Sequence, residues 1–121
     1  MAVRRLRINE GILDHKYYNF YRDAPDSILA RRYYALGCTD DEIITDLKEH
    51  NFSDYRIEGI IDRINALRDI LDTKSLFTAY ELANILKDRT PYLDDIDIEE
   101  LLGDSPYSDD MIRYVQEYYF G

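Results

Sequence analysis

The sequence predicts an all-α fold, a compact bundle of six to seven short helices with an internal helical-hairpin repeat and an extended basic N-terminal arm. The main observation is that Thr-x-x-Glu-(Ile/Leu)-x-x-x-Leu-Lys-(Glu/Asp) occurs twice, beginning at Thr39 and again 39 residues later at Thr78. The composition agrees, because 33% of the 121 residues are charged and only three are proline. We therefore expect an arm over residues 1–8 and one helical domain over 9–121, with repeat units at about 39–72 and 78–102.

The N-terminal third is expected to contain the arm and two helices. In residues 1–8, arginines are interleaved with apolar side chains, and no helix-start residue occurs before Asn9. Such a segment becomes ordered only against another surface, because an isolated strand leaves its backbone groups without partners. A first helix is predicted from Asn9 to about Arg22, and a second helix, after Pro25, ends at Gly37.

The first repeat unit predicts a pair of helices. Thr39 and Glu42 can form a capping box, in which two side chains satisfy backbone amides at the start of a helix, and Ser53 caps a long helix over 54–71. The apolar positions of the long helix alternate spacings of three and four. This pattern favours the central core helix of a bundle, and pairing with a partner's helix is the alternative. The positions are Ile57, Ile60, Ile64, Leu67 and Leu71.

The remaining helices show the same start and stop signals. Thr78 begins a helix that repeats the first capped one, and Ser108 caps the last helix of the chain. Between them, Asp97 and Glu100 are predicted to form another capping box, at the start of a short helix that Gly103 ends.

Charge is distributed unevenly along the chain. Residues 1–32 carry seven basic and four acidic side chains, a net of +3, whereas residues 33–121 carry eight basic and 21 acidic ones, a net of −13. Nonspecific affinity for nucleic acid comes mostly from Lys and Arg that neutralise phosphates, so the acidic body repels a polyanion at long range. Any contact with nucleic acid would therefore have to use the N-terminal third.

The sequence contains no recognisable catalytic site, and we expect neither enzyme activity nor a cofactor. Only His15 and His50 are ordinary near-neutral proton carriers, and they lie in different predicted helices with no Ser or Cys pattern around either. The five glycines form no phosphate-binding loop. Cys38 is the only cysteine, so an internal disulfide and a cysteine-based zinc site are excluded, and we expect a buried apolar role for it.

The densest acidic cluster, at residues 94–100, has only the first positions of a calcium-binding loop. Asp95, Asp97 and Glu99 alternate as its ligands do, but Glu100 occupies the position that needs glycine and Pro106 the one that needs glutamate. We therefore predict no metal site. Because the apolar runs are short and the N-terminus has no signal-peptide pattern, we expect an intracellular or cytoplasmic protein, or a virion component, without membrane association.

Residues 37–63 have the outline of a helix-turn-helix motif, which in nucleic-acid-binding proteins places the start of its last helix in the major groove. The residues that would face nucleic acid are Ser53, Tyr55, Arg56 and Arg63. Two carboxylates, Asp54 and Glu58, would lie beside them and repel phosphates, which makes this interpretation an alternative to the leading one.

The same stretch resembles one three-helix repeat of the RecX family of recombinase regulators. The shared pattern is Thr39-x-x-Glu42-Ile43-x-x-x-Leu47, followed by Phe52, Ile57 and Asp62-Arg63-Ile64. The resemblance implies helical-repeat packing and regulation of a recombinase, and no functional residue is carried over from it. Most of the shared positions are caps and core residues.

Twelve tyrosines and no tryptophan are the strongest indication of function. Six of the tyrosines form three pairs of adjacent residues in predicted helices. Neighbouring side chains in a helix point about 100° apart, so burial of one member of a pair directs the other toward the surface. Tyrosine is favoured at protein interfaces because it buries a large ring and keeps a polar tip; an ordinary position at the edge of the core is the alternative. The candidate residues are Tyr17, Tyr18, Tyr33, Tyr34, Tyr118, Tyr119 and Phe120.

The leading hypothesis is a non-enzymatic helical adaptor or assembly subunit that binds other protein chains, and a small structural or connector protein of a virion fits it. Docking would use the aromatic surfaces and the arm, with Arg4, Arg5, Leu6 and Arg7 as its contact residues. One alternative is a helix-turn-helix-like regulator that contacts nucleic acid. A second alternative is an acidic mimic of nucleic acid that blocks a basic site on another protein.

Overall fold

The computed structural model describes Tyr21 and residues 24–121 of the chain. All regular structure in this part is helical, without any strand, which confirms the predicted helical bundle. Tyr21 is helical and buried, while the arm and the rest of the predicted helix 9–22 lie outside the described residues. The six helices are α1 (Asp26–Leu36), α2 (Asp40–Glu49), α3 (Asp54–Leu71), α4 (Ala79–Arg89), α5 (Asp95–Leu102) and α6 (Asp109–Phe120).

The repeated Thr-x-x-Glu sequence produces the same cap at the start of α2 and of α4. Glu42 N donates to Thr39 Oγ1 over 3.2 Å and Glu81 N donates to Thr78 Oγ1 over 3.2 Å, and in each pair the glutamate accepts from the threonine amide over 2.9 Å. Both predicted capping boxes are therefore confirmed. Each one satisfies two of the backbone amides that a helix start leaves without partners.

The start of α5 corrects one prediction. Its N-cap is Asp94 rather than Asp97, and Asp97 occupies the third helical position that we assigned to Glu100. Asp97 N donates to Asp94 Oδ1 over 2.8 Å, and Asp97 Oδ2 accepts from the Asp94 amide over 3.2 Å. The earlier start buries Leu93 and Ile98, at the two positions of a hydrophobic staple, on the core side of the helix.

The helices pack around one core, and five of them form a ring in which each contacts two others, in the order α1, α3, α4, α6 and α5. The most extensive contacts join α4 to α6 and α1 to α3, and α5 closes the circle by packing against α1 and α6. Helix α3 lies at the centre of this arrangement, because it contacts α1, α2 and α4. Its predicted stripe is buried at Ile57, Ile60, Ile64 and Leu67, which confirms a core helix.

The two repeat units have different tertiary surroundings. In the first unit α2 packs on α3, the next helix in the chain. In the second unit α4 packs mainly on α6 and α3, whereas its own successor α5 packs on α1 and α6. The repeated sequence thus determines where these helices begin, and the neighbours of each helix are determined by its other positions.

Candidate protein-binding surface

An exposed aromatic cluster lies on the outer side of the α4–α6 pair. Tyr114 and Tyr118 are four residues apart on α6 and therefore share one face of the helix, with 56% and 49% of their surface exposed. Tyr80 of α4 is 58% exposed, and its ring meets that of Tyr118 edge to face, with the centroids 5.4 Å apart. We call these three tyrosines the aromatic face.

Buried tyrosines hold the helices that carry this face. Tyr119 is 8% exposed, and its hydroxyl donates to the carbonyl of Thr90 over 2.5 Å and accepts from Leu93 N over 2.9 Å. These bonds tie the end of α6 to the segment between α4 and α5. Tyr107, before α6, accepts from Phe77 N over 2.9 Å. The aromatic face therefore lies on two helices that are fixed at several points. Binding a partner there would restrict little further motion and so would cost little conformational entropy.

The charge around the aromatic face is acidic. Helices α4 and α6 together carry five carboxylates and three cationic side chains. Two of those cations are already in ion pairs, Arg89 with Asp69 at 2.7 Å and Arg113 with Asp110 at 3.3 Å. A surface that complements the aromatic face would therefore carry positive charge beside apolar groups.

The structure places the predicted aromatic residues in very different environments. Tyr17 and Tyr18 lie outside the described residues, and so do Arg4, Arg5, Leu6 and Arg7 of the arm. Tyr118 and Phe120 are about half exposed, as a binding role requires, whereas Tyr119 is buried. Tyr33 is completely buried and has no surface to offer a partner. Tyr34 is half-buried and donates its hydroxyl to Asp72 over 2.5 Å.

Tyr33 belongs to a buried polar cluster that the sequence did not indicate. Asp46 is fully buried in α2, and its Oδ2 accepts from the hydroxyls of Tyr21 and Tyr33, each over 2.6 Å. Burial, and then the hydrogen bond and the negative charge of Asp46, raise the pKa of Tyr33 far above its ordinary value. The Tyr21 ring stacks on His50 with 3.6 Å between centroids. This cluster is enclosed, so we assign it to stability.

The residues of the nucleic-acid alternative are only partly accessible. Ser53 caps α3, and Tyr55, at 85% exposed, projects from its first turn. Arg56 pairs with Asp26 of α1, and its guanidinium lies 4.3 Å from the centroid of the Phe52 ring. Arg63 is only 8% exposed. Both arginines are thus engaged within the protein, which removes most of the positive charge that phosphate binding needs.

Arg63 is held by groups on three elements. Its Nε donates to Ser27 Oγ over 3.1 Å and its Nη1 to the carbonyl of Gly59 over 3.1 Å. Its Nη2 lies 3.7 Å from Asp97 Oδ2, and the guanidinium stands 5.3 Å from the ring centroid of Tyr92. Ser27 in turn donates to Asp97 Oδ1 over 2.9 Å. This partly buried ion pair and its hydrogen bonds join α1, α3 and α5.

A small groove lies beside Arg63, between the first turns of α3, Asp26 and Tyr92. We call it the Tyr55 groove; its volume is about 130 Å³. Tyr55 and Tyr92 form its aromatic sides, and Glu58 and Asp62 contribute carboxylates. Asp62 Oδ2 accepts from the Tyr92 hydroxyl over 2.9 Å, and burial followed by this hydrogen bond raises the pKa of Tyr92. The groove is far smaller than ordinary cofactor sites of about 300 Å³ or more.

Sequence reasoning missed Tyr80 and Tyr114 as surface residues. Tyr80 lies in the second copy of the repeat, at the position where the first copy has Asp41. An aromatic residue at an exposed position of a capped helix start was the signal for it. Tyr114 lies one turn before Tyr118, the spacing that indicates a shared helix face.

Comparison of the chain with family models, with curated proteins and with solved structures returned no match. The resemblance to RecX repeats therefore gains no support from these comparisons. Among the described residues, no group of three or more His, Cys, Asp or Glu side chains is arranged to hold a metal ion. In the same part of the chain, no helix has both the length and the apolar composition needed to cross a membrane.

Proposed function

We propose that this protein is a non-enzymatic helical adaptor or assembly subunit that binds another protein chain through the aromatic face. The observation that carries the proposal is the contact between Tyr80 and Tyr118 at the surface, with Tyr114 one turn away. Three half-exposed tyrosine rings on two rigidly joined helices offer a large contact area at low entropic cost. A role as a structural or connector component of a virion is one form of this proposal.

The partner is expected to present basic and apolar groups together. Residues 33–121 carry a net charge of −13, and the uncompensated carboxylates of α4 and α6 lie on the same two helices as the tyrosines. Lys or Arg on the partner would gain both ion pairs and cation–π contacts with the rings. The basic arm at residues 1–8 is proposed as a second contact, made with another chain.

The proposal is tested by capture from an extract of the organism that encodes the protein. The immobilised full chain would be compared with the double variant Tyr80→Asp/Tyr118→Ala at low salt, with and without nuclease, and retained proteins would be identified by mass spectrometry. The matched control is Tyr55→Ala, because Tyr55 is more exposed than either tyrosine and lies on another helix. We expect a stoichiometric partner that survives nuclease, is retained by the control and is lost by the double variant.

Two results would contradict the proposal. Retention of the same partner by the double variant would remove the aromatic face from its role. Loss of all bound protein on nuclease treatment would favour the nucleic-acid alternative, which a salt titration would then test, because binding through several phosphate contacts weakens steeply with salt. Competition with DNA for a basic partner would support the mimic alternative.

A further inference from the structure

The Tyr55 groove has an excess of negative charge that the described residues do not neutralise. Of the two cations in its lining, Arg56 is paired with Asp26 and Arg63 with Asp97. Among the described residues, the Glu58 carboxylate has neither a hydrogen bond nor an ion pair. The Asp62 carboxylate accepts from the Tyr92 hydroxyl and interacts with the charge of Arg89, which is itself paired with Asp69. The groove therefore attracts one more cationic group.

The two carboxylates are placed to share a single cation. Glu58 and Asp62 are four residues apart on α3 and so lie one helical turn from each other on the same face. Like charges at this spacing destabilise a helix, and a cation between them removes that repulsion. Tyr55 and Tyr92 line the same groove, 85% and 50% exposed. Arg63 already lies over one side of the Tyr92 ring, so the Tyr55 ring is the main aromatic surface for the flat side of an incoming guanidinium.

The size of the groove selects the ligand. A volume of about 130 Å³ accommodates the end of one side chain and excludes a nucleotide or an organic cofactor. An arginine suits it better than a lysine, because a planar guanidinium stacks on aromatic rings and pairs with carboxylates through several donors at once. The basic segment of this chain, residues 1–8, carries three arginines, Arg4, Arg5 and Arg7, beside apolar residues.

We propose that the Tyr55 groove receives an arginine side chain from residues 1–8 of a second copy of this chain. The proposal rests on the proposed function in one respect, that the arm makes contacts between chains. Arm and groove are different surfaces, so each copy can give its arm to one neighbour and receive the arm of another. The copies then form open chains or closed assemblies, of which a two-fold dimer that exchanges arms is the smallest. Because the groove is on α3, this contact leaves the aromatic face available for a different partner.

The test is self-association of the full chain, measured by sedimentation over a range of protein concentrations at low and high salt. The groove variant is Tyr55→Ala/Glu58→Gln, whose residues are both exposed, so its fold is expected to survive. Its control is Leu76→Ala/Glu49→Gln, which likewise truncates one exposed large side chain and neutralises one exposed carboxylate, at residues that belong neither to the Tyr55 groove nor to the aromatic face. The arm variant replaces Arg4, Arg5 and Arg7 with alanine.

We expect the wild-type chain and the Leu76→Ala/Glu49→Gln control to associate equally, and the groove and arm variants to associate about tenfold more weakly or not at all. A mixture of the groove variant with the arm variant retains one intact arm and one intact groove. The mixture is therefore expected to form a 1:1 complex to which no further chain can be added, although neither variant associates alone.

Three results would overturn this proposal. A wild-type chain that stays monomeric at high protein concentration and low salt would exclude the contact between copies. Association that the groove variant leaves unchanged would place the contact elsewhere, and a mixture that forms no complex would rule out the pairing of arm with groove. None of these results affects capture of a partner by Tyr80 and Tyr118, so the two proposals fail separately.

Discussion

Helices α2 and α4 begin with the same sequence motif and the same capping box, yet they differ at two positions that decide what each helix does. Asp46 of α2 corresponds to Ile85 of α4, and Asp41 corresponds to Tyr80. At the inner position, Asp46 in α2 is a carboxylate buried against two tyrosine hydroxyls, whereas Ile85 in α4 is a partly buried apolar side chain. At the outer position, Asp41 in α2 is an exposed carboxylate and Tyr80 in α4 is an exposed aromatic ring.

The comparison shows that the repeated motif determines where the helices begin, whereas the neighbours of each helix depend on its other residues. The threonine and glutamate of each cap act within one turn, so they work identically in both copies. The inner and outer positions act through neighbouring helices or through solvent, which are not the same in the two copies. In our proposal the second copy, with Tyr80 at the outer position, has become the binding helix.

The largest expected difference between the copies is at the inner position. Asp46→Ala leaves the buried hydroxyls of Tyr21 and Tyr33 without this acceptor, at a cost of about 3 kcal/mol in the free energy of unfolding. Ile85→Ala, at the matched position, removes part of a half-buried side chain and should cost about 1 kcal/mol. Urea unfolding of both variants measures the contrast, and an equal or smaller loss for Asp46→Ala would show that the tyrosine cluster contributes little.

The next effect is a dependence of stability on alkaline pH, part of which comes from the contact of Tyr33 with Asp46 of α2. The pKa of Tyr33 is raised in the folded protein, so its stabilising contribution is complete below the ordinary tyrosine pKa of about 10 and is lost as the pH rises above it. Above pH 10 the free energy of unfolding should fall on account of Tyr33, with a slope that rises to about 1.4 kcal/mol per pH unit by pH 12.

Tyr33→Phe tests this dependence. It removes the titrating hydroxyl, so its stability curve should fall less steeply than that of the wild type above pH 10, by up to about 1.4 kcal/mol per unit. Between pH 7 and 9 the two curves should run parallel, since the hydroxyl is protonated in both the folded and the unfolded chain. Denaturant titrations at each pH supply both curves, and parallel curves above pH 10 would contradict the assignment.

The caps should give equal effects in the two copies. Thr39→Ala and Thr78→Ala each remove the side-chain acceptor at a helix start, for a loss of about 1 kcal/mol. Because the bond lengths in the two boxes match, we expect losses that agree within about 0.5 kcal/mol in thermal or urea unfolding. A clearly larger loss in one copy would mean that tertiary packing, and not the local bonds alone, sets the value of the cap.

The smallest effect on stability is expected at the outer position, where the effect on binding is largest. Tyr80→Asp gives α4 the residue type that α2 has at Asp41, in a first helical turn that favours negative charge. The free energy of unfolding should change by less than about 0.5 kcal/mol, while the partner retained by the wild-type chain is lost. Thermal unfolding and capture from the same extract measure the two quantities, and loss of stability together with binding would undermine a surface role for Tyr80.

Much of the fold was predictable because the relevant interactions are local. Ser53, Thr39 and Thr78 cap the helices where the sequence indicated, Gly37 ends α1 with a φ of 70°, and the apolar stripe of α3 is buried. The start of α5 was misplaced because aspartates at positions 94 and 97 both suit a cap. The buried Leu93 and Ile98 favour the earlier choice.

The candidate surface was less predictable because exposure depends on contacts between distant residues. Adjacency indicated that burial of one tyrosine of a pair directs the other toward the surface. Which one is buried depends on distant contacts, with Asp46 for Tyr33 and with Thr90 and Leu93 for Tyr119. The contact between Tyr80 and Tyr118 joins helices separated by α5 in the sequence. Only the packing of α4 on α6 brings those two rings together.

The proposal that the aromatic face of α4 and α6 binds a partner is best tested by an oxidative footprint of the tyrosines. Hydroxyl-radical labelling read by mass spectrometry would compare the chain alone with the chain bound to the partner captured from its own organism, at a protein concentration too low for self-association. We expect the partner to protect Tyr80, Tyr114 and Tyr118 and to leave Tyr55 as reactive as before. Unchanged labelling of Tyr80 and Tyr118 in the complex would contradict a binding role for the aromatic face.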